Sequence, residues 1–502
     1  MTKFRGKLMK FRILGFVLAI LLCLSITGAY AFAKLPDIEK SSRYHQHREA
    51  SEKASCEHTD GSFCTHLPLI EINTNGVEIP GKFYLDENGK EQPTLSATGE
   101  SYILANVNIF DSSTQNNHLT DAANDTGTVR IKVRGNSSRY HDKPGYSLTF
   151  VNELGENEDH AVMGMDAHHE WALHGPFLDQ TLIRNYMWYN ISGDIMGYAP
   201  NVRFCEAFLN GEYMGVYVMV ETVTAGQIED SRLNLSVQKK DHTFTGYCIR
   251  MDRGSTELKN LDVFSNYTLR NSQTIDVVYP GTSNLTPEMK HQIEQDFSYF
   301  ERILYSFDYK NDSYGYPNFI DVQSFVDYFV INEFTSNYDA GWLSTYVYKD
   351  VDGLFRLCVW DFNSTFDNYK DNKIEPYGFE MNLQPWYVML TKCPEFTEQI
   401  IERYRELRKT YLSEEYLNRY IDETVAYLGD AVDRNFEKWG YTFEKENGLL
   451  RPLDRSPQSY DEALNLMRSY IHVRGEWMDE NIDSLMQYAS ESKNKKNNES
   501  RR

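Results

Sequence analysis

The chain has 502 residues with 41% hydrophobic and 14% aromatic content, which is enough for one large domain or for two to three ordinary domains. Its formal net charge of −22 at pH 7 excludes a nonspecific nucleic-acid binder, because such a protein needs a basic surface that releases counterions from phosphates. Seven cysteines in so long a chain exclude a disulfide scaffold.

Residues 1–33 have the pattern of a secretory signal peptide, with five basic residues, an apolar stretch and the small residues of GAYAFAK. An uncleaved signal anchor is the alternative, because the apolar run approaches the roughly 20 residues that span a bilayer. We therefore expect an exported protein, either secreted or anchored at the extracytoplasmic face of the membrane. If the segment is uncleaved, it is the only part expected to contact a membrane.

Residues 34–66 are polar, charged and poor in aliphatic side chains, which predicts a flexible stalk. Cys56 and Cys64 are close enough in sequence to form a disulfide in an exported protein. Their surroundings, CEH and CTH, also repeat a Cys-x-His pair, so zinc is a weaker alternative. The cysteines at 205, 248, 358 and 393 are predicted to be small buried apolar residues.

Residues 67–282 are predicted to be rich in strands, because short apolar runs such as TVRIKVRG alternate with clusters of Gly, Asn and Asp. One helix is expected within residues 178–197, capped by Asp179. Asn210-Gly211 between two apolar runs predicts a hairpin.

Residues 283–485 are predicted to be mainly helical. Thr286 followed by Pro287 opens one helix, and Asp321 caps a second that ends near Asn337. A hairpin formed by STYVYK and LFRLCVW follows, and a later helix begins with a capping box at Ser459. Strands that precede helices indicate an α+β fold, and residues 486–502 are predicted to be a disordered tail.

Two aspartates flank the predicted hairpin. Asp339 lies in the loop before it, and Asp361 follows its second strand directly in the sequence VWDFN. Folding the hairpin back brings both carboxylates to one edge, where about 4 Å of separation would cost roughly 4 kcal/mol at an effective dielectric near 20. Mg²⁺ bound to phosphate oxygens turns this repulsion into attraction. Alternatively, Asp361 caps a turn and Asp339 is a solvated loop residue.

The basic half of a phosphate site is predicted around RGNSS, which begins at Arg134. Small polar residues let backbone N–H groups approach an anion, and Lys143 before the next strand could pair with phosphate oxygens. The motif is weak in isolation, since R-G-N-S also occurs in ordinary turns.

Taken together, RGNSS…KPGYSLTF, LDQTLIRN, FLNGEYMGVYVMVE, FVDYFVINEFTSNYDA, STYVYKD-x-DG and VWDFN resemble the spore coat protein H (CotH) kinase family over roughly residues 67–485. The resemblance implies an atypical protein-kinase-like fold, with a β-rich N-terminal lobe and a mostly helical C-terminal lobe. It also implies use of ATP and Mg²⁺ and phosphorylation of Ser or Thr in proteins, which are coat proteins in spore formers.

By position, Asp339 resembles the family's catalytic-loop aspartate and Asp361 its magnesium-binding aspartate. Lys143 resembles the phosphate-pairing lysine, although the family often has a second Lys where this chain has Pro144. Glu221 stands where a hinge residue would face the adenine.

The second metal ligand is left open by the sequence. Ordinary kinases have Asn five residues after the catalytic Asp, whereas this chain has Ser344, so Asn337 or Asn363 is expected to serve instead. Arg184 and Asn185 are expected either to orient the phosphates or to form a buried pair with an acid.

Two functions follow from these residues. The first is an exported protein kinase that acts on Ser or Thr of secreted, surface or coat proteins. The second is a surface binding or adhesion protein that keeps the fold without turnover. A glycosidase with paired carboxylates is a weaker third hypothesis, because it explains neither Lys143 nor the RGNSS turn.

Overall fold

The computed structural model describes residues 43–51, 53, 62–227, 231–236, 246–254, 258–268 and 273–489, and these belong to one compact unit. The predicted signal segment, the Cys56 half of the predicted disulfide and residues 490–502 lie outside them. Within the described part of the chain, no helix has both the length and the apolar character needed to cross a membrane.

The strands are short, as the sequence predicts. They are β1 Leu69–Asn73, β2 Phe83–Leu85, β3 Glu91–Pro93, β4 Ile103–Phe110, β5 Asp125–Arg134, β6 Gly145–Val151, β7 Glu170–His174, β8 Val202–Leu209, β9 Glu212–Glu221, β10 Tyr247–Asp252, β11 Thr274–Tyr279, β12 Thr345–Lys349 and β13 Arg356–Cys358.

The helices lie mainly in the second half of the chain. They are α1 Gln46–Glu49, α2 Arg184–Ile195, α3 Pro287–Leu304, α4 Val322–Phe334, α5 Tyr387–Leu390, α6 Pro394–Arg408, α7 Glu414–Leu428, α8 Asp430–Trp439 and α9 Tyr460–Asn481. The fold is therefore α+β, as expected from the order of patterns.

Seven strands close into a barrel in the order β1-β4-β5-β6-β7-β9-β8, with β1 and β8 parallel and the other pairs antiparallel. The alternation of β5 explains its place in this barrel, because Val129, Ile131 and Val133 are buried in one apolar core while Arg134 lies at the strand's end. The sequence predicts the strands but not their closure.

A second sheet has the order β11-β10-β12-β13 and is antiparallel throughout. Its first two strands precede residue 282 and its last two form the hairpin that follows α4. The predicted boundary between residues 282 and 283 does not separate the sheets, because backbone hydrogen bonds of one sheet join the two parts.

Two other predicted boundaries also need correction. Residues 43–51 are not a flexible stalk: His45 and Gln46 are buried, and Gln46 bonds the backbone of β8. At the other end, a 3₁₀ helix at Ile482–Tyr488 extends the ordered chain beyond residue 486. Both segments are polar in sequence, but their side chains find partners in the rest of the fold.

The central helix α4 is buried on nearly all sides, and it packs against α6 and β13. Asp321 accepts a hydrogen bond from the Ser324 amide (3.1 Å), which confirms the predicted cap. The four cysteines predicted to be buried are at most 3% exposed. Because α4 is fixed in the core, the loop that follows it starts from a rigid support.

Candidate active site

The loop after α4 and the turn after β13 meet, and they carry Asp339 and Asp361. The Asn337 side chain donates to the Asp361 carbonyl (3.2 Å), and the Phe366 amide donates to the Thr335 carbonyl (3.0 Å). The predicted folding of the hairpin therefore brings the two acidic segments to one edge.

The Asp361 turn is held in a left-handed conformation by α2. Asp361 has φ +59°, which is costly for a residue with a Cβ and persists only where surrounding contacts fix it. Its amide donates to the Tyr189 hydroxyl (3.0 Å), and the next amide, of Phe362, donates to the Asn185 side chain (2.8 Å). These two backbone hydrogen bonds fix the conformation of the turn that carries the Asp361 carboxylate.

The pKa values of both carboxyl groups are raised above the ordinary aspartate value. Burial raises the pKa of Asp339 to about 7, and the charge of Asp361 acts in the same direction. Burial also raises the pKa of Asp361, although hydrogen bonds from Asn363 oppose this shift. Both residues keep partial contact with solvent, so a ligand can reach them.

A third carboxylate comes from the end of β10. The charge of Asp252 raises the pKa of both Asp339 and Asp361. Its position follows from sheet register, since Met251 pairs with Thr345 at the start of β12. Arg253, the next residue, is exposed, and its positive charge lowers the pKa of Asp339.

Arg134 supplies positive charge on the other side of Asp361. Its guanidinium lies over the Trp360 ring, 5.3 Å from the centroid, and its charge lowers the pKa of Asp361. Arg134 therefore lies close enough to Asp361 for the two charges to interact.

The donor set fits Mg²⁺, for which one or two carboxylates with further oxygen ligands are typical. Asn337 Oδ1 is buried and has no hydrogen-bond partner, beside the Asp361 carbonyl that its own amide group contacts. Asn363 is less available, because its side chain donates to Asp361 Oδ1 (2.7 Å) and accepts from Asn185 (3.2 Å). Of the two amides considered from the sequence, Asn337 therefore fits the ligand role better.

Among the described residues, no group of three or more His, Cys, Asp or Glu side chains is arranged to hold a metal ion. A site here would consequently depend on the two aspartates, an amide oxygen and ligand or water oxygens. Mg²⁺ accepts such a set readily, whereas Zn²⁺ prefers nitrogen and sulfur ligands.

Lys143 makes different contacts from those expected. Its ammonium donates to Asn435 Oδ1 on α8 (2.7 Å) and lies 5.1 Å from the Tyr217 ring centroid. Burial lowers the pKa of Lys143 well below its ordinary value, against the charge of Asp179. None of these contacts involves Asp339 or Asp361.

Glu221 ends β9 and is completely buried. One carboxylate oxygen accepts from the Asn201 amide (2.9 Å), while Oε1 has no hydrogen-bond partner. An unpartnered buried acceptor is compatible with the predicted position of Glu221 facing the adenine.

Arg184 and Asn185 have different contacts, although the sequence predicted for both either a phosphate-orienting role or a buried pair with an acid. Arg184 forms a buried ion pair with Asp179 (2.5 Å), so it is a structural residue of α2. Asn185 instead contacts both Phe362 and Asn363 and orients the acidic turn.

The fold and these residues define an α+β protein with a paired-aspartate site at the junction of a β-barrel and a helical region. A model of the family described as "CotH kinase protein" matches residues 131–478, and the chain belongs to this family. The chain is also similar to the inner spore coat protein H of Bacillus subtilis (strain 168), with 21% identity over 371 residues. That alignment covers 71% of this chain and 88% of the relative.

Proposed function

We propose that this protein is an atypical protein kinase, with a kinase-like arrangement in which the barrel serves as the N-terminal lobe. It transfers the γ-phosphoryl group of ATP to Ser or Thr hydroxyls of protein substrates. The observation that carries the proposal is the convergence of Asp339 and Asp361 beside Arg134 and an unpartnered amide oxygen of Asn337. Family membership supports it through the family's description.

Asp339 accepts the proton of the substrate hydroxyl in this proposal. A pKa of about 7 suits a general base that works near neutral pH, because the group then combines a useful ionised fraction with appreciable basicity. Asp361 and Asn337 would hold Mg²⁺, and Arg134 would contact phosphate oxygens. Mg²⁺, when bound there, would neutralise phosphate charge, and positioning by the protein would supply most of the remaining rate.

The substrates we propose are secreted, surface or spore coat proteins. The similar Bacillus subtilis protein is named as an inner spore coat protein, and the predicted export signal agrees with an extracytoplasmic site of action. An acidic chain with net charge −22 is not expected to act on nucleic acid.

The proposal predicts different defects for the two aspartates. By calorimetry, the full chain should bind ATP only with Mg²⁺, and Asp361→Ala should lose this binding. Asp339→Ala should keep nucleotide binding yet lose transfer of label from radioactive ATP by at least about 100-fold, the lower range for a general base. Asp121→Ala, far along the chain on a surface loop with an exposed carboxylate, is the control and should leave both signals unchanged.

A binding or adhesion protein without turnover is the second candidate, and the contacts of Lys143 favour it. A lysine bonded to Asn435 on α8 does not supply the expected phosphate contact. Absence of heat with ATP at any divalent metal, together with absence of label transfer, would favour this candidate over the kinase.

A further inference from the structure

Residues 43–51, here named the strap, pack against the core instead of extending from it. Arg43 donates through its guanidinium to the Asn190 side chain (3.0 Å), to the Ala199 carbonyl (2.9 Å) and to the Pro200 carbonyl. Its rigid fork therefore joins α2 to the segment that leads into β8.

Gly193 makes room for Arg43 on α2. A Cβ at this position would lie 2.6 Å from both Cδ and Cζ of Arg43, which is closer than real Cβ contacts allow. Glycine in a helix normally costs about 1 kcal/mol relative to alanine. Here its absence of a side chain permits the guanidinium to reach the backbone.

The strap also completes the barrel where one strand partner is missing. β1 pairs with β8 only from Glu206 onward, so the Phe204 backbone has no partner strand on that side. The Gln46 side chain takes the place of a strand partner and forms two hydrogen bonds with the Phe204 backbone. Its Oε1 accepts from the Phe204 amide (2.7 Å), and its Nε2 donates to the Phe204 carbonyl (3.2 Å).

The helix that receives Arg43 is the one that holds the acidic turn. Asn190, the Arg43 partner, directly follows Tyr189, whose hydroxyl accepts the Asp361 amide. A shift of this part of α2 would move the Tyr189 hydroxyl and leave the left-handed Asp361 backbone without its support.

We propose that Arg43 is a positioning residue for Asp361, acting through the C-terminal half of α2. The N-terminal segment is then a required part of the active domain and not a dispensable linker. The consequence for activity rests on the proposed function, whereas the effect on the Asp361 turn does not.

Hydrogen–deuterium exchange of the full chain tests whether Arg43 stabilises the Asp361 turn through α2. Arg43→Ala and Gly193→Ala should both speed exchange of the Asp361 and Phe362 amides by about tenfold, which is a local opening effect. Arg48→Ala is the matched control from the same strap, because its partner is Glu423 on α7 and not α2. It should leave exchange at Asp361 unchanged.

Unchanged exchange at these amides in Arg43→Ala would overturn the proposal, as would equally faster exchange throughout the barrel. If Gly193→Ala does not fold, Arg43→Ala with Arg43→Lys decides the question, and the lysine should restore protection only in part. In a transfer assay, Arg43→Ala should lower kcat with little change in KM for the protein substrate. A wild type without transfer would reject the kinase proposal alone, since exchange still reports the coupling.

Discussion

Burial and the neighbouring Asp361 carboxylate both raise the pKa of Asp339. The pKa of about 7 compares with an ordinary value of 3.8, so the folded state favours the protonated form. Between about pH 4 and pH 7 the folded protein therefore binds more protons than the unfolded chain, and the free energy of unfolding falls as pH rises.

We expect this loss to be about 1 to 2 kcal/mol, less than full burial would give, because Asp339 retains some contact with water. Asp339→Asn should abolish it and should be the more stable protein at pH 8, with little difference at pH 4. Urea unfolding in the presence of a chelator at several pH values measures the effect. Parallel pH curves for the two proteins would contradict the assigned pKa shift.

The sequence predicts that Asp339 and Asp361 lie at one edge of the hairpin, because the order of helix, loop and hairpin is a local pattern. Asp252, Arg253 and Tyr189 carry no comparable signal, since their roles depend on a strand pairing and a helix contact between distant parts of the chain. The contacts of Lys143 were not predictable from sequence either, because Asn435 lies nearly 300 residues away.

Among the elements, the turn at Asn210-Gly211 shows how strongly local chemistry can specify structure. Both residues have positive φ (51° and 80°), and they connect β8 to β9 as the sequence predicts. The same reasoning holds for Thr286, which caps α3 by accepting from the Met289 amide (3.2 Å).

Gly211→Ala should destabilise the protein by about 1 to 2 kcal/mol, because a Cβ is disfavoured in the left-handed region. Gly197→Ala is the matched control: no atom lies within 4 Å of its added Cβ, and its φ is not left-handed. This control should be neutral or slightly stabilising. Thermal unfolding of both variants checks the comparison, and equal losses would show that turn conformation is not the cause.

The predicted helix at residues 178–197 shows where local rules fail. Leu182 has φ +66°, and α2 begins only at Arg184. Asp179 still accepts from the Arg184 amide (2.9 Å), but it does so from an irregular segment that tertiary contacts shape. The predicted cap is therefore wrong, because Ile183 occupies the N-cap of α2 and forms no side-chain capping hydrogen bond.

On the scale of the whole molecule, a buried ion pair joins α9 to α4. Arg474 and Glu333 are 1% and 2% exposed and lie 2.5 Å apart, and Glu333 also accepts the Met381 amide (2.8 Å). Arg474→Ala leaves a buried carboxylate uncompensated, so a loss of about 3 to 5 kcal/mol is expected.

Arg405→Ala provides the comparison for this prediction. Its pair with Asp483 is equally short (2.6 Å) but exposed, so a change below about 1 kcal/mol is expected. Denaturant unfolding of both variants measures the difference. A loss at Arg474 no larger than that at Arg405 would mean that burial does not control the contribution of the pair.

Barrel closure and the shared sheet could not be predicted from the sequence, because periodicity indicates strands but not their neighbours. The resemblance in motifs indicated one continuous domain, whereas the division at residue 282 followed the change from strand patterns to helix patterns. In the fold, β10 pairs with β12 across almost a hundred residues.

We expect the shared sheet and the Arg474 contact to delay folding of the site during biosynthesis. β10 must wait for β12, and the Glu333 carboxylate must wait for a helix that is synthesised about 140 residues later. A nascent chain that has produced both aspartates therefore still lacks a settled loop around them. We expect the loop that carries Asp339 to settle only after α9 has been synthesised.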